Sequence, residues 1–479
     1  MVQVPGLDEV FYPESVAVVG ASERNVSYYV ESMVEAGRVK VFVVNPNYDE
    51  VLGLKSYPSL LDIPERVDYV VVAVPAKQTP DILMDCAEKG VKAVHIFTSG
   101  FSETGLEEGR VLEDRLVEIA RQGGFRIIGP NCMGVYCPES GLRFSHDQPD
   151  EPGPVAFLSQ SGGRAVTVVL KARLRNVRFS KVVSYGNACD LDFADFLEYL
   201  KDDSKTSIIL AYVEGFKKTD GLLELLKETC MRKPVVILKG GLSEEGARAA
   251  AFHTGSLAGS AKVWDGLCKQ AGVIQVDDFD DLLDVAVGFL YSKPPEGRGV
   301  AIVTNSGGSS VVYSDICARY GLRVPRFDEE TQRRLRSFIP VAGSSIKNPL
   351  DAWMAFSRGK LFDALDAVAS DNNVNSVVIE IQPESFHAYA RNRLDRMGAM
   401  ADVVISSCRH VVEEHGKPVF MVVNSSYYHE TELAIARVFQ GAGLPVYSSL
   451  QGAAKAISKM YWYKRFKDAR GGMPVGAHT

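Results

Sequence analysis

Long apolar runs are missing from this 479-residue chain. None approaches the roughly 20 consecutive apolar residues that a bilayer-spanning helix needs. Basic excess is missing as well: the net charge of −7 argues against nucleic acid or an anionic membrane as the main partner. The opening residues MVQVPGLDEVFYPESV lack the basic and apolar regions of a secretory signal, so a soluble, cytoplasmic protein is expected. Paired cysteines are absent too. Cys86, Cys132, Cys137, Cys189, Cys230, Cys268, Cys317 and Cys408 are scattered, with no CxxC spacing, and are expected as small reduced core residues. The eight histidines form no HxH or HExxH pattern, so no metal site is expected. With 46% hydrophobic and 24% charged residues, the composition is that of a globular protein and excludes collagen-like and disordered classes.

What the chain does have is rhythm. At about 150 residues per domain its length suggests about three domains. Ser15–Gly20, Val39–Pro46, Asp68–Pro75, Val91–Thr98 and Phe125–Asn131 are short Val- and Ile-rich runs that read as buried strands. Helical patterns such as Pro80–Lys89 and Glu107–Arg121 lie between them. That alternation specifies a parallel sheet with helices on both faces, a doubly wound domain over residues 1–147. The polar stretch His146–Gly153 reads as a linker. A second α/β unit, 148–293, has strands at Val155–Leu158, Lys181–Ser184, Ile208–Tyr212, Val235–Leu238 and Val273–Val276. After Ser292–Gly299, a third unit, 294–479, has strands at Val300–Thr304, Ser376–Ile381, Val419–Val423 and Pro445–Tyr447, then a C-terminal helix carrying Tyr461, Trp462 and Tyr463. Val155–Gly163 (VAFLSQSGG) and Val300–Gly308 (VAIVTNSGG) keep register over nine positions, which suggests that the second and third units are duplicates of one fold.

The strand-to-helix turns carry the candidate chemistry. VVGAS (Val18–Ser22) has one glycine where GxGxxG would need three, which disfavours an NAD-dependent dehydrogenase. A helix start there can still hold a phosphate on backbone amides, making Gly20, Ala21 and Ser22 candidates. Asn45-Pro46-Asn47, Val74-Pro75-Ala76 and Phe97-Thr98-Ser99-Gly100 lie at the carboxyl ends of the other strands, where such folds bind ligands. For any one of these turns, turn chemistry alone is an equal explanation. SQSGG (Ser159–Gly163) offers two hydroxyls and two glycines before a helix and is a better anion cradle. His253, in AAAFHTGSLAGS, sits among small residues able to expose an imidazole nucleophile. Glu214, at the end of ILAYVEG, is a candidate carboxylate to fix its tautomer.

Together VAVVGAS, VNPNYDEVLGLKSYPSL, VDYVVVAVPA, GFRIIGPNCMGV, VAFLSQSGG, FSKVVSYGNACDLD, YVEG, KPVVILKGG, HTGSLAGS and KQAGVIQVDD resemble, in that order, the α subunit of ADP-forming acyl-CoA synthetases of the acetate–CoA ligase type, relatives of the succinyl-CoA synthetase α subunit. The resemblance implies a Rossmann-like CoA-binding domain followed by two flavodoxin-like domains. It implies reversible conversion of acyl-CoA, ADP and phosphate to acid, CoA and ATP through an acyl phosphate and a phosphohistidine at His253. It places Ser159, Ser161 and Gly162 around the phosphoryl group, Glu214 beside the histidine, and Gly186 and Asn187 near the acyl site. After VGAS this chain reads ERNVSYY instead of the relatives' glycine-containing turn, with Arg24 and Asn25 as substitute CoA contacts. After SQSG this chain reads Gly163-Arg164-Ala165 where relatives often have Ala-Leu-Gly or Thr-Leu-Gly, so Arg164 puts a charge near the acyl pocket that is able to alter substrate choice. No GxxxxGK[ST] or ATP-grasp segment is found; the resemblance implies that ADP/ATP and Mg2+ are bound by an ATP-grasp domain on a separate β subunit or a fused extension, with an α2β2 heterotetramer expected for the β-subunit form. The other reading of the same fold is a non-catalytic CoA-binding or acyl-CoA-sensing protein.

Overall fold

The computed structural model describes residues 5–248, 260–340, 344–351, 359–390 and 394–471. The chain divides into two compact units, Met1–Phe279 and Asp280–Thr479.

The first unit holds two sheets. Strands β1 (Ser15–Val19), β2 (Lys40–Val44), β3 (Glu50–Val51), β4 (Leu54–Tyr57), β5 (Tyr69–Val72), β6 (Ala93–Ile96) and β7 (Arg126–Ile128) lie in the order β3-β4-β2-β1-β5-β6-β7. All pair in parallel except the β3–β4 hairpin. Every residue of β1, β5 and β6 is buried, because helices cover both faces and each strand can be apolar throughout. Helix Thr79–Lys89 begins with Pro80 in its first turn and stops at Gly90, whose φ is 73°. Proline tolerates that start, and glycine reaches the left-handed stop without a steric cost. Helix Glu107–Gly123 buries Leu116, Ile119 and Ala120, each large apolar side chain contributing about 1.5–3 kcal/mol when fully buried.

The second sheet contains β8 (Gly134–Tyr136), β9 (Val155–Ser159), β10 (Phe179–Ser184), β11 (Ile208–Val213), β12 (Val235–Lys239) and β13 (Ile274–Val276), in the order β13-β12-β11-β9-β10-β8. Only β8 is antiparallel. This strand precedes the polar stretch 146–153 but belongs to the second sheet, so the chain crosses between the sheets at residues 129–133.

In the second unit β14 (Val300–Thr304), β15 (Leu350–Asp351), β16 (Ser376–Ile381), β17 (Val419–Val423) and β18 (Val446–Tyr447) form a parallel sheet, β15-β14-β16-β17-β18. Without β8, the second sheet has the same winding: the first strand sits inside, the second at its edge, and the rest follow outward. The nine-residue repeat thus occupies the same strand and turn in both. From Asp280 onward, helix Phe279–Tyr291 packs on helix Leu450–Asp468, with Lys455 Nζ 2.7 Å from Asp281 and Met460 over Gly288. Among the described residues, no helix is long and apolar enough to cross a membrane.

Candidate functional site

In the first sheet the winding reverses between β1 and β5, and folds of this kind bind ligands outside the carboxyl ends of such strands. A cavity of about 590 Å³ opens there. Asn25, Ala73, Val74, Pro75, Phe97, Thr98 and Ser99 form one side, and Asn131, Cys132, Met133, Gln160, Ser161, Gly162 and Gly163 form the other. Two separate sequence candidates, the βα turns of the first sheet and the SQSGG turn of the second, therefore share one space.

The first wall rests on close backbone packing. Gly20 has φ +90°, and a Cβ there would lie 2.6 Å from the Ala73 carbonyl oxygen, so the VVGAS turn needs its one glycine for approach to β5. The Asn25 amide donates to the carbonyls of Gly20 (3.0 Å) and Ala73 (3.2 Å), and the Thr98 hydroxyl donates to Val74 O at 2.6 Å. Asn45 is buried and donates to Ala21 O at 2.9 Å, bracing the turn from behind. Arg24, Pro46 and Asn47 are exposed and lie outside the lining. Gly20, Ala21, Ser22 and Asn45 form the layer beneath it.

On the second wall, helix Gly162–Leu174 begins after Ser161, whose backbone is extended (φ −104°, ψ 123°) and whose side chain makes no capping bond. The first-turn amides have no intrahelical acceptor, so donors and the positive end of the helix dipole face the cavity. Ser159 is fully buried and spends its hydroxyl inside the turn, accepting from Ser161 N (3.2 Å) and donating to Ser161 O (2.8 Å). Ser159 shapes the cradle, while Ser161 and Gly162 line it. A Cβ on Gly162 would meet Met133 Cγ at 2.9 Å, so this glycine lets the strip 131–133 pack against the helix start. None of the lining residues is Lys or Arg.

Behind this wall, Gln160 Oε1 accepts the backbone amides of Glu214 and Gly215, the latter at 3.0 Å. Glu214 is buried, its carboxylate accepts the Tyr212 hydroxyl at 2.8 Å, and its carbonyl accepts Lys239 Nζ at 2.6 Å. Burial, with Glu214 beside it, pushes the Tyr212 hydroxyl far above its usual range, so Tyr212 stays a donor. Burial lowers Lys239, and Glu214 partly offsets the effect. Gly240 leaves room for this cluster: a Cβ there would lie 3.0 Å from the Tyr212 hydroxyl. Arg164 stacks 5.1 Å from the Phe279 ring, which in turn lies 5.1 Å from Tyr212. His253 lies outside the described residues.

Gly186 and Asn187 sit behind the Asn131 side of the cavity. Gly186 has φ +50°, and a Cβ would collide with the carbonyls of Pro130 and Asn131. The Asn187 amide is held by Glu113 (2.9 Å) and Glu103 (2.5 Å), and Asn187 Oδ1 is 3.4 Å from Asn131 Nδ2. The strip 131–133 is held by β6: the buried His95 ring nitrogen Nε2 lies 3.0 Å from Cys132 O, and burial lowers its pKa to about 4 despite that bond. The imidazole is therefore neutral, with the proton on the nitrogen that faces the carbonyl. Burial also pushes the Cys132 thiol up, so the wall carries no thiolate.

Residues 14–138 match the family described as CoA binding domain, and residues 152–289 match the succinyl-CoA ligase like flavodoxin domain. The chain is 38% identical over 454 residues to the acetate–CoA ligase [ADP-forming] II subunit alpha of Pyrococcus furiosus, covering 94% of this chain and 96% of that one. It belongs to the ADP-forming acetate–CoA ligase family. The subunit alpha of enzyme I from the same organism is 36% identical, with 96% and 98% covered. A longer member, acetate–CoA ligase [ADP-forming] I of Archaeoglobus fulgidus, is 36% identical; the match covers 96% of this chain and 64% of that one. In structure, the ligase chain resembles the dinucleotide forming acetyl-coenzyme A synthetase 1 of Ca. Korarchaeum cryptofilum in complex with phosphate and ADP, with a TM-score of 0.80, 30% identity, and 96% and 97% of the chains covered.

For this ligase chain, reading turns one sheet at a time found the SQSGG part of the far wall but missed Asn131, Cys132 and Met133. The signal was GPNCMG, a tight turn just after a strand, in which Asn131 takes φ +59°. Tyr212 and His95 were missed because each acts one layer behind the cavity.

Proposed function

We propose that this chain is the catalytic α subunit of an ADP-forming acyl-CoA synthetase, converting acyl-CoA, ADP and phosphate to carboxylic acid, CoA and ATP, reversibly. The observation that carries the reading is the single cavity joining the switch point of the first sheet to the SQSGG helix start. CoA phosphates would lie on the first-sheet turns, with Asn25, Thr98 and Ser99 at hand. The reacting phosphate would lie on the first-turn amides after Ser161. A phosphate oxygen attacks the thioester carbonyl, CoA leaves as its thiol, and an acyl phosphate results. His253 then attacks phosphorus and the carboxylate leaves. Phosphoryl transfer of this kind depends on positioning and on fixed donors facing spread negative charge, which is what an uncapped helix start supplies. Glu214, held by Tyr212 and Gln160, would orient the imidazole. ADP, ATP and Mg2+ would be bound by an ATP-grasp β subunit in an α2β2 assembly in the cytoplasm. The domains would run 1–147, 148–293 and 294–479, with strand β8 handed across the first boundary to the second sheet.

The test mixes the chain with its ATP-grasp partner, Mg2+ and γ-labelled ATP. An acid-labile label on this chain that disappears in His253→Ala is expected. A label that persists in that variant moves the chemistry to another residue, and an unlabelled wild type supports a CoA sensor instead.

A further inference from the structure

Away from the cavity, in the second unit, three helices converge on one carboxylate. Asp366, on helix Leu361–Ser370, has its Oδ1 2.7 Å from His410 Nε2 and 2.8 Å from His415 Nε2, both on helix Leu394–His415. Its other oxygen accepts Arg334 of helix Glu329–Arg336 at 2.5 Å. We propose that Asp366, His410 and His415 bind a divalent transition metal of the zinc class. The three ligand atoms lie within 4.8 Å of one another, and two imidazoles with one carboxylate is a donor set zinc uses, with a fourth position for water. Tetrahedral zinc, with bonds of about 2.0–2.2 Å, sets its ligand atoms roughly 3.3 Å apart. The pair distances of 2.7 and 2.8 Å would therefore open by about half an ångström.

The surroundings fit. Asp366 is 26% exposed, His410 26% and His415 20%, so solvent reaches the site and an ion can enter. Arg334 fixes the carboxylate, and the Phe362 ring lies 4.4 Å from that of His410, which are the supports that orient metal ligands. Seven of the eight cysteines are buried, so thiols offer little competition. Motif spacing could not reveal this site, since Asp366 stands 44 and 49 residues before the two histidines.

The test is calorimetric titration of the full-length, untagged chain with zinc chloride, alongside Co2+ absorption in the visible. One metal per chain is expected. Asp366→Asn and the His410→Gln/His415→Gln pair should each weaken binding by more than the roughly 10–100-fold that changes behind the ligands cost, and should remove the Co2+ bands. The paired histidine variant keeps the Arg334–Asp366 contact, so it reports on binding if Asp366→Asn unfolds. No bound zinc, or equal affinity in the folded histidine variant, overturns the proposal.

Discussion

The turns after β9 and β14 are copies that spend their polar groups in opposite ways. After β9, Ser161 leaves its side chain out of the helix cap. After β14, Ser306 caps its own helix, accepting from Ser309 N at 3.3 Å. Ser159 turns its hydroxyl onto its own loop, whereas Thr304 gives its hydroxyl to the carboxylate of Glu380. Glu380 also takes Tyr313 and Asn424. Val303 pairs with Ile379, so Glu380 occupies the register position that Tyr212, opposite Ser159, holds in the first copy. One copy keeps its donors open and its carboxylate one layer back; the other consumes the same groups internally. Sequence similarity over nine positions marks a shared scaffold, and the commitment of each hydroxyl decides what the scaffold does.

Acid should separate the two regions most strongly. The first turn faces the strip 131–133, which hangs on neutral His95. Its imidazole titrates near 4 in the folded chain against 6.5 for the free group, so the unfolded chain binds the extra proton in between. Stability from this group is fully present above pH 6.5 and is lost as pH falls toward 4, about 3 kcal/mol in all. Urea unfolding followed by hydrogen exchange in each unit should show the first unit weakening over that window, with the slope flattened in His95→Gln. An equal slope in the variant would break the link. Next, Ser161→Ala should lower turnover about 100-fold, near 2.7 kcal/mol of barrier, while the melting temperature stays put. A loss of stability instead would make Ser161 a cap like its counterpart. Smallest, Ser306→Ala should cost about 1 kcal/mol of stability by removing a cap, measured by denaturant midpoint. No change in midpoint would mean that the two serines do not differ.

Much of the fold was legible because buried parallel strands must be apolar on both faces, and runs such as VAVV and YVVV carry that demand openly. Strand β8 was not: three residues, Gly134–Tyr136, hold no pattern that tells which sheet they join. Half of the site was legible for a related reason. Turns at strand ends such as Val74-Pro75 and SQSGG are marked by composition, but Met133 enters the wall only because Gly162 has no side chain to keep it out. The cluster of Asp366, His410 and His415, proposed above as a metal site, was hidden by sequence separation, since Asp366 stands 44 and 49 residues before the two histidines.

The absence of Lys and Arg from the cavity lining has a consequence for selectivity. A pocket that meets an anion with amide protons and hydroxyls holds it by direction, and such fixed dipoles lose their pull within a few ångströms. Polyanions passing at a distance feel little from it, and added salt has few long-range charges there to screen. A cavity of this kind holds an anion through the placing of its backbone amides rather than through long-range charge.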